Sequence, residues 1–120
     1  MKNTQVSNFF HERMINRLEQ LLQLRGETRS DLVVGSDGKA KFCQIQFAQH
    51  LKNVPYKYRR DVRLKVAQTL LGRGQLLSFS SLSDTELDVL IEACDYTSAM
   101  GRMVEWALDH LAKQNGEKNG

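Results

Sequence analysis

This chain carries few of the features that fix a small protein by covalent or metal cross-links. It has two cysteines, Cys43 and Cys94, far apart and without a Cys-x-x-Cys pairing. That spacing excludes a disulfide framework and points to a reducing compartment. No window approaches the roughly 18 apolar residues that a membrane-spanning helix needs. The opening residues, MKNTQVSNFFHERM, contain no apolar run of signal-peptide length. The expectation is a cytoplasmic protein with no membrane association. There is one proline, and there is no internal repeat, low-complexity segment or domain linker.

Chemistry-bearing motifs are scarce as well. Zinc sites use ligand pairs two to five residues apart. Among His11, His50, His110, Cys43 and Cys94 the closest spacing is seven, from Cys43 to His50. Gly72-Arg73-Gly74 is too short for a phosphate loop, and no Lys-Ser or Lys-Thr pair follows it. Asp109 and His110 are adjacent and do not face each other on a helix. Nothing local would orient or activate a thiolate. No catalytic residue, metal or cofactor is expected, and the chain reads as a non-enzyme.

What is present is helical patterning. At 120 residues, 41% of them hydrophobic and 26% charged, the chain has globular composition and the length of one domain. From Val6 to Leu24 the residues Val6, Phe10, Met14, Ile15, Leu18, Leu21, Leu22 and Leu24 fall on about half the circumference at 100° per residue. His11 shares that apolar side, whereas Phe9 falls outside it. Gly26 is a natural stop. Residues 26–41 are ambiguous. Leu32-Val33-Val34 is β-prone, and Gly35-Ser36-Asp37-Gly38 has turn chemistry. Cys43 to Phe47 alternates with period two, which allows a hairpin. Cys43, Phe47, Leu51 and Val54 also fit helical spacing, which favours a helix over about 40–53.

Pro55 suits the first turn of the next helix. There Val62, Val66 and Leu70 repeat every four residues, and Leu64, Ala67 and Leu71 widen the face. Val62 to Val66 also alternates, so a strand is the competing reading. Ser83-Asp84-Thr85-Glu86 reads as a capping box, followed by Leu87, Leu90, Ile91 and Cys94 at helical spacing. Thr97 or Ser98 caps a last helix carrying Met100, Met103, Val104, Ala107, Leu108 and Leu111. The fold expectation is therefore mainly α. It is a single compact domain of four to five helices over residues 1–112, with a small β-hairpin at 31–47 as the open alternative. Residues 113–120 form a flexible tail.

Charge is sorted along this order. Lys52 to Arg73 holds seven Lys and Arg against one acid, Asp61, a net of +6 in 22 residues. The remaining 98 residues carry ten cations and thirteen acids. Within the basic stretch Lys52, Tyr56, Lys57, Tyr58, Arg59, Arg60 and Arg63 mix cations with aromatic planes. Cations neutralise phosphates, tyrosine hydroxyls bond them, and rings stack on unpaired bases. In a helix-turn-helix arrangement, Tyr56 to Arg60 would open a recognition helix. The opposing explanation is that the acidic C-terminal helices pack over this stretch and neutralise it, with the arginine stems covering the apolar stripe. Trp106 projects to the flank of the last helix near His110, and Phe9 does the same on the first. Flanking aromatics of this kind anchor interfaces.

These features lead to two functional expectations. The first is a small non-catalytic regulatory protein that binds nucleic acid through the basic helix at residues 52–65. The second is a protein-binding adaptor or inhibitor, such as one acting on a nucleic-acid-handling enzyme. It would work as a homodimer through charged patches and a surface built on Trp106, His110 and Phe9.

Overall fold

A computed structural model describes residues 2–31, 33–114 and 116, and the side chains of these residues apart from 2–8 and 31. The elements are α1 (Lys2–Arg25), α2 (Asp37–Ala48), α3 (Tyr56–Leu71), α4 (Asp84–Ala93) and α5 (Thr97–Gln114), with single 3-10 turns at Arg29–Asp31 and Phe79–Ser81. Among the described residues there is no strand, and no helix is long and apolar enough to cross a membrane. The Val6 side chain, Leu32 and most of the 113–120 tail lie outside the described residues.

Two helices stop at glycines as their sequences require. Gly26 takes φ 67° and Gly72 takes φ 61°. In each case the following amide reaches back to close the helix: Glu27 N donates to Leu22 O at 2.8 Å, and Arg73 N to Gln68 O at 3.1 Å. This is the six-to-one bond of a Schellman end, which a side chain on the left-handed residue would strain. The capping box at α4 forms as expected: Glu86 N donates to Ser83 Oγ at 3.2 Å, and Ser83 N to Glu86 Oε1 at 3.0 Å.

The hairpin does not form. Residues 39–47 lie inside α2, and the turn residues before them serve another purpose. Ser36 caps α2 by accepting from Lys39 N at 3.2 Å. Gly35 N donates to Leu82 O at 2.8 Å, and Ser36 N to Asp84 Oδ1 at 3.0 Å. The turn is therefore docked on the start of α4, and its backbone groups are unavailable to a hairpin ladder. A side chain at Gly35 would sit 2.8 Å from Asp84 N, which explains the glycine. The helix also ends earlier than its spacing suggested. Leu51 and Val54 are buried, but in the connection that follows Ala48.

The core centres on α3. Its Val62, Val66 and Leu70 are fully buried, with Leu64, Ala67 and Leu71 beside them. This stripe packs against α1, α4 and α5. Met14 and Leu18 come from α1, Leu87 and Leu90 from α4, and Met100 and Met103 from α5. α2 leans on α4 and on the Phe79 turn instead, with Phe47 meeting Phe79 edge to face at 5.1 Å. α2 and α3 are thus not the packed pair of a helix-turn-helix. A recognition helix projects from its domain, whereas α3 runs through the middle of this one.

Candidate nucleic-acid interface

The start of α3 carries that helix's exposed residues, Tyr56, Lys57, Arg60 and Asp61. Pro55 precedes it and offers no side-chain acceptor, and the first turn holds no acid. The two cations of the first turn, Lys57 and Arg59, face the positive end of the helix dipole, at a cost of about 0.3–1 kcal/mol each. With the end of α2, the start of α3 encloses a cleft of about 410 Å³, lined by Ala48, Leu51, Tyr56, Lys57, Arg59, Arg60 and Arg63. Four of those seven residues are cationic and none is acidic.

Each side chain there has a distinct position. The Tyr56 ring is 86% exposed. The Arg59 guanidinium lies 5.9 Å from its centroid. Arg59 is committed to the backbone: Nε donates to Val54 O at 2.9 Å and Nη2 to Lys52 O at 3.2 Å. It therefore ties the α2–α3 connection together, whatever else it contacts. Arg60 is exposed, donates to Leu77 O at 2.6 Å and lies 3.9 Å from Asp61. Arg63 is half-buried over the Phe79 ring at 5.6 Å, and its Nε has no hydrogen-bond acceptor among the described residues. Burial first, and then the Arg60 charge, lower its pKa below the usual arginine value. Even so, a guanidinium remains charged. Lys52 is exposed, and the Lys57 ammonium lies 5.2 Å from the Tyr58 ring.

Tyr58 departs from its expected role. It is 5% exposed, and its hydroxyl is buried with no hydrogen-bond partner among the described residues. Position 58 faces the core because it lies four residues before Val62 on the apolar stripe. Its ring is out of reach of a base.

The acidic helices do pack on α3, and one carboxylate of α4, Glu86, pairs with Arg73 at the end of the basic stretch, whereas Asp88 and Glu92 pair outside it. On α4, Glu86 pairs with Arg73 at 3.0 Å, Asp88 with Arg25 at 2.9 Å and Lys39 at 2.8 Å, and Glu92 with Arg17 at 3.1 Å. A second cleft, of about 450 Å³, also holds two arginines, Arg29 and Arg73. There both are spent: Arg29 on Glu19 and on the carbonyls of Leu71 and Gly72, Arg73 on Glu86. Of the two, the α2–α3 cleft is the one whose lining lacks a carboxylate.

The other expected surface is less open. Trp106 is half-buried, stacks on His110 at 5.9 Å and 24°, and carries the Lys65 ammonium 5.7 Å from its ring. Those contacts absorb it into the packing between α3 and α5. Phe9 stands 80% exposed on α1.

Sequence reasoning missed the outer face of α2, where Phe42, Ile45 and Lys41 are exposed. A signal was available. Residues 38–60 contain six Lys and Arg and no Asp or Glu. The fold spreads that run over α2, the connection and the start of α3: Lys39 pairs with Asp88 on α4, and Lys57, Arg59 and Arg60 line the cleft that Ala48 closes. Among the described residues, no three His, Cys, Asp or Glu side chains cluster as metal ligands. Burial pushes the thiol of Cys94 up to about 12, and it raises Cys43 as well. No family model, curated protein or solved structure matches the chain.

Proposed function

We propose that this protein is a small, non-catalytic regulatory factor that binds nucleic acid at the α2–α3 corner. One observation carries the reading: a cleft lined by Lys57, Arg59, Arg60 and Arg63, with no carboxylate and with an exposed tyrosine at its edge. Like charges held together at the positive end of a helix are mutually unfavourable. A phosphate chain would relieve that cost and release its own counterions. Lys57, Arg60 and Arg63 are the phosphate-binding groups. Lys52 extends the basic surface beyond the cleft. Arg59 holds the corner in shape. The adaptor reading has less support, because Trp106 already stacks on His110 and carries Lys65 over its ring.

The test is affinity for labelled oligonucleotides as a function of salt. Binding should fall steeply as salt rises. Lys57→Ala and Arg60→Ala should each weaken binding to all sequences and flatten the slope of log affinity against log salt by about one. An absence of binding at low salt, or a slope unchanged in both variants, would overturn the assignment.

A further inference from the structure

α2 is apolar on two sides. Its inner side, Ala40, Cys43 and Phe47, is buried against α4 and the Phe79 turn. Its outer side presents Phe42 at 49% exposure and Ile45 at 60%. Residues three apart on a helix form a slanted ridge. Phe42, Ile45 and Ala48 make such a ridge, about 9 Å long at 1.5 Å per residue. Its last member, Ala48, lines the basic cleft, and Tyr56 stands on the cleft's other side. An apolar and aromatic track therefore runs along α2 into a cluster of guanidinium and ammonium groups. Lys41 lies one turn before Ile45, and Lys52 follows the helix. No acid interrupts the chain between Asp37 and Asp61.

The geometry points to single-stranded nucleic acid as the ligand of this corner. Its unpaired bases would stack on Tyr56 and Phe42, and its phosphates would lie on Arg60, Arg63 and Lys57. The inference rests on the nucleic-acid reading above and narrows it. A duplex turns the faces of its bases inward and offers a protein only base edges and backbone. Exposed phenyl and phenol rings have no counterpart there. α3 cannot supply the missing groove-reading helix, because its flanks are buried under α1, α4 and α5. An unpaired strand exposes the π-face of every base. Cations interleaved with rings suit that ligand and tolerate any sequence.

Fluorescence anisotropy of the full chain, at one fixed low salt, tests this. The probes are a short labelled single strand, as DNA and as RNA, and a blunt hairpin duplex of the same sequence. The single strand should bind at least about tenfold more tightly than the duplex. Tyr56→Ala and Phe42→Ala should each weaken single-strand binding by about 5- to 150-fold, the range of one lost base–ring stack. Tyr56→Phe, which keeps the ring, should retain most of the affinity. Both positions are exposed, and unchanged circular dichroism would confirm that each variant folds.

Equal affinity for duplex, or indifference to both ring deletions, would overturn the inference. If Arg60→Ala still flattened the slope in the separate salt titration, the broader nucleic-acid reading would stand. A polyglutamate peptide that displaces the strand as well as an unlabelled strand does would also overturn it, because the corner would then respond to charge alone. Failure of both probes to bind would remove both readings together.

Discussion

At the scale of single residues, Tyr58 and Arg59 show how one helical turn separates roles that look alike in sequence. Both lie in the basic stretch, and both have the chemistry to meet a phosphate. Tyr58 falls on the buried stripe, and its hydroxyl ends there without a partner among the described residues. An unsatisfied buried hydroxyl costs about 1–3 kcal/mol. Tyr58→Phe removes it without changing the ring, so it should stabilise the protein by about that amount and leave nucleic-acid binding unaltered. A urea titration beside the anisotropy assay checks both halves. A loss of binding would mean that the hydroxyl reaches the ligand after all. Arg59 turns back to the carbonyls of Lys52 and Val54. Its positive charge counts toward the cleft, but its hydrogen bonds belong to the fold.

At the scale of elements, Asp88 is the junction. Its carboxylate, on α4, accepts from Arg25 at the end of α1 and pairs with Lys39 at the start of α2. Burial alone would raise its pKa. The hydrogen bonds from Lys39 and Arg25 outweigh that and hold it below the ordinary carboxylate value. The stabilisation is therefore fully present above the unfolded value of about 3.9 and is lost as pH falls through the lower folded value. All three side chains are partly exposed, so the effect is of order 1 kcal/mol. Asp88→Asn should lower stability by about that much at pH 7, and should show a correspondingly smaller loss between neutral pH and about pH 3. Urea midpoints for both proteins at both pH values test the sign. Parallel acid losses would show that Asp88 is not the linked group.

Much at this scale was legible in the sequence. The starts and stops at Ser83, Gly26 and Gly72 use local rules that operate within one turn. The α2 segment was harder, because Cys43, Ile45 and Phe47 fit a strand while Cys43 and Phe47 also fit a helix. Backbone bonds from Gly35 and Ser36 to Leu82 and Asp84, nearly fifty residues away, favour the helix. No local pattern carries that information.

At the scale of the whole molecule, a basic helix has become the hub of the core. Its polar residues emerge mainly at the first turn and along one edge, and the rest is enclosed by three other helices. Amide hydrogens at the hub should exchange only through global unfolding. We expect residues 62–71 of α3 to be the slowest-exchanging segment, ahead of α2, whose outer face is open. Peptide-resolved hydrogen exchange checks this. Faster exchange there than in α2 would contradict the hub. The same placement explains why the charge pattern misleads when it is read linearly. The acidic helices lie against α3, and Glu86 meets Arg73 at the end of the basic stretch, yet Asp88 and Glu92 meet Arg25, Lys39 and Arg17, which lie outside it.

The sequence by itself determined that this chain is helical, roughly where most helices begin and end, and most of the residues of α1, α3, α4 and α5 that face inward; Leu24, on the expected apolar side of α1, is instead 74% exposed at the helix end. Those properties follow from periodicity and capping, which act over three or four residues. Only the tertiary structure decided which cations are paired and which stand together, that Tyr58 is buried while Tyr56 is exposed, and that Trp106 is absorbed into packing. It also brought the outer ridge of α2 beside the first turn of α3. Those outcomes depend on the distances between side chains on different helices, and the packing of the core sets them.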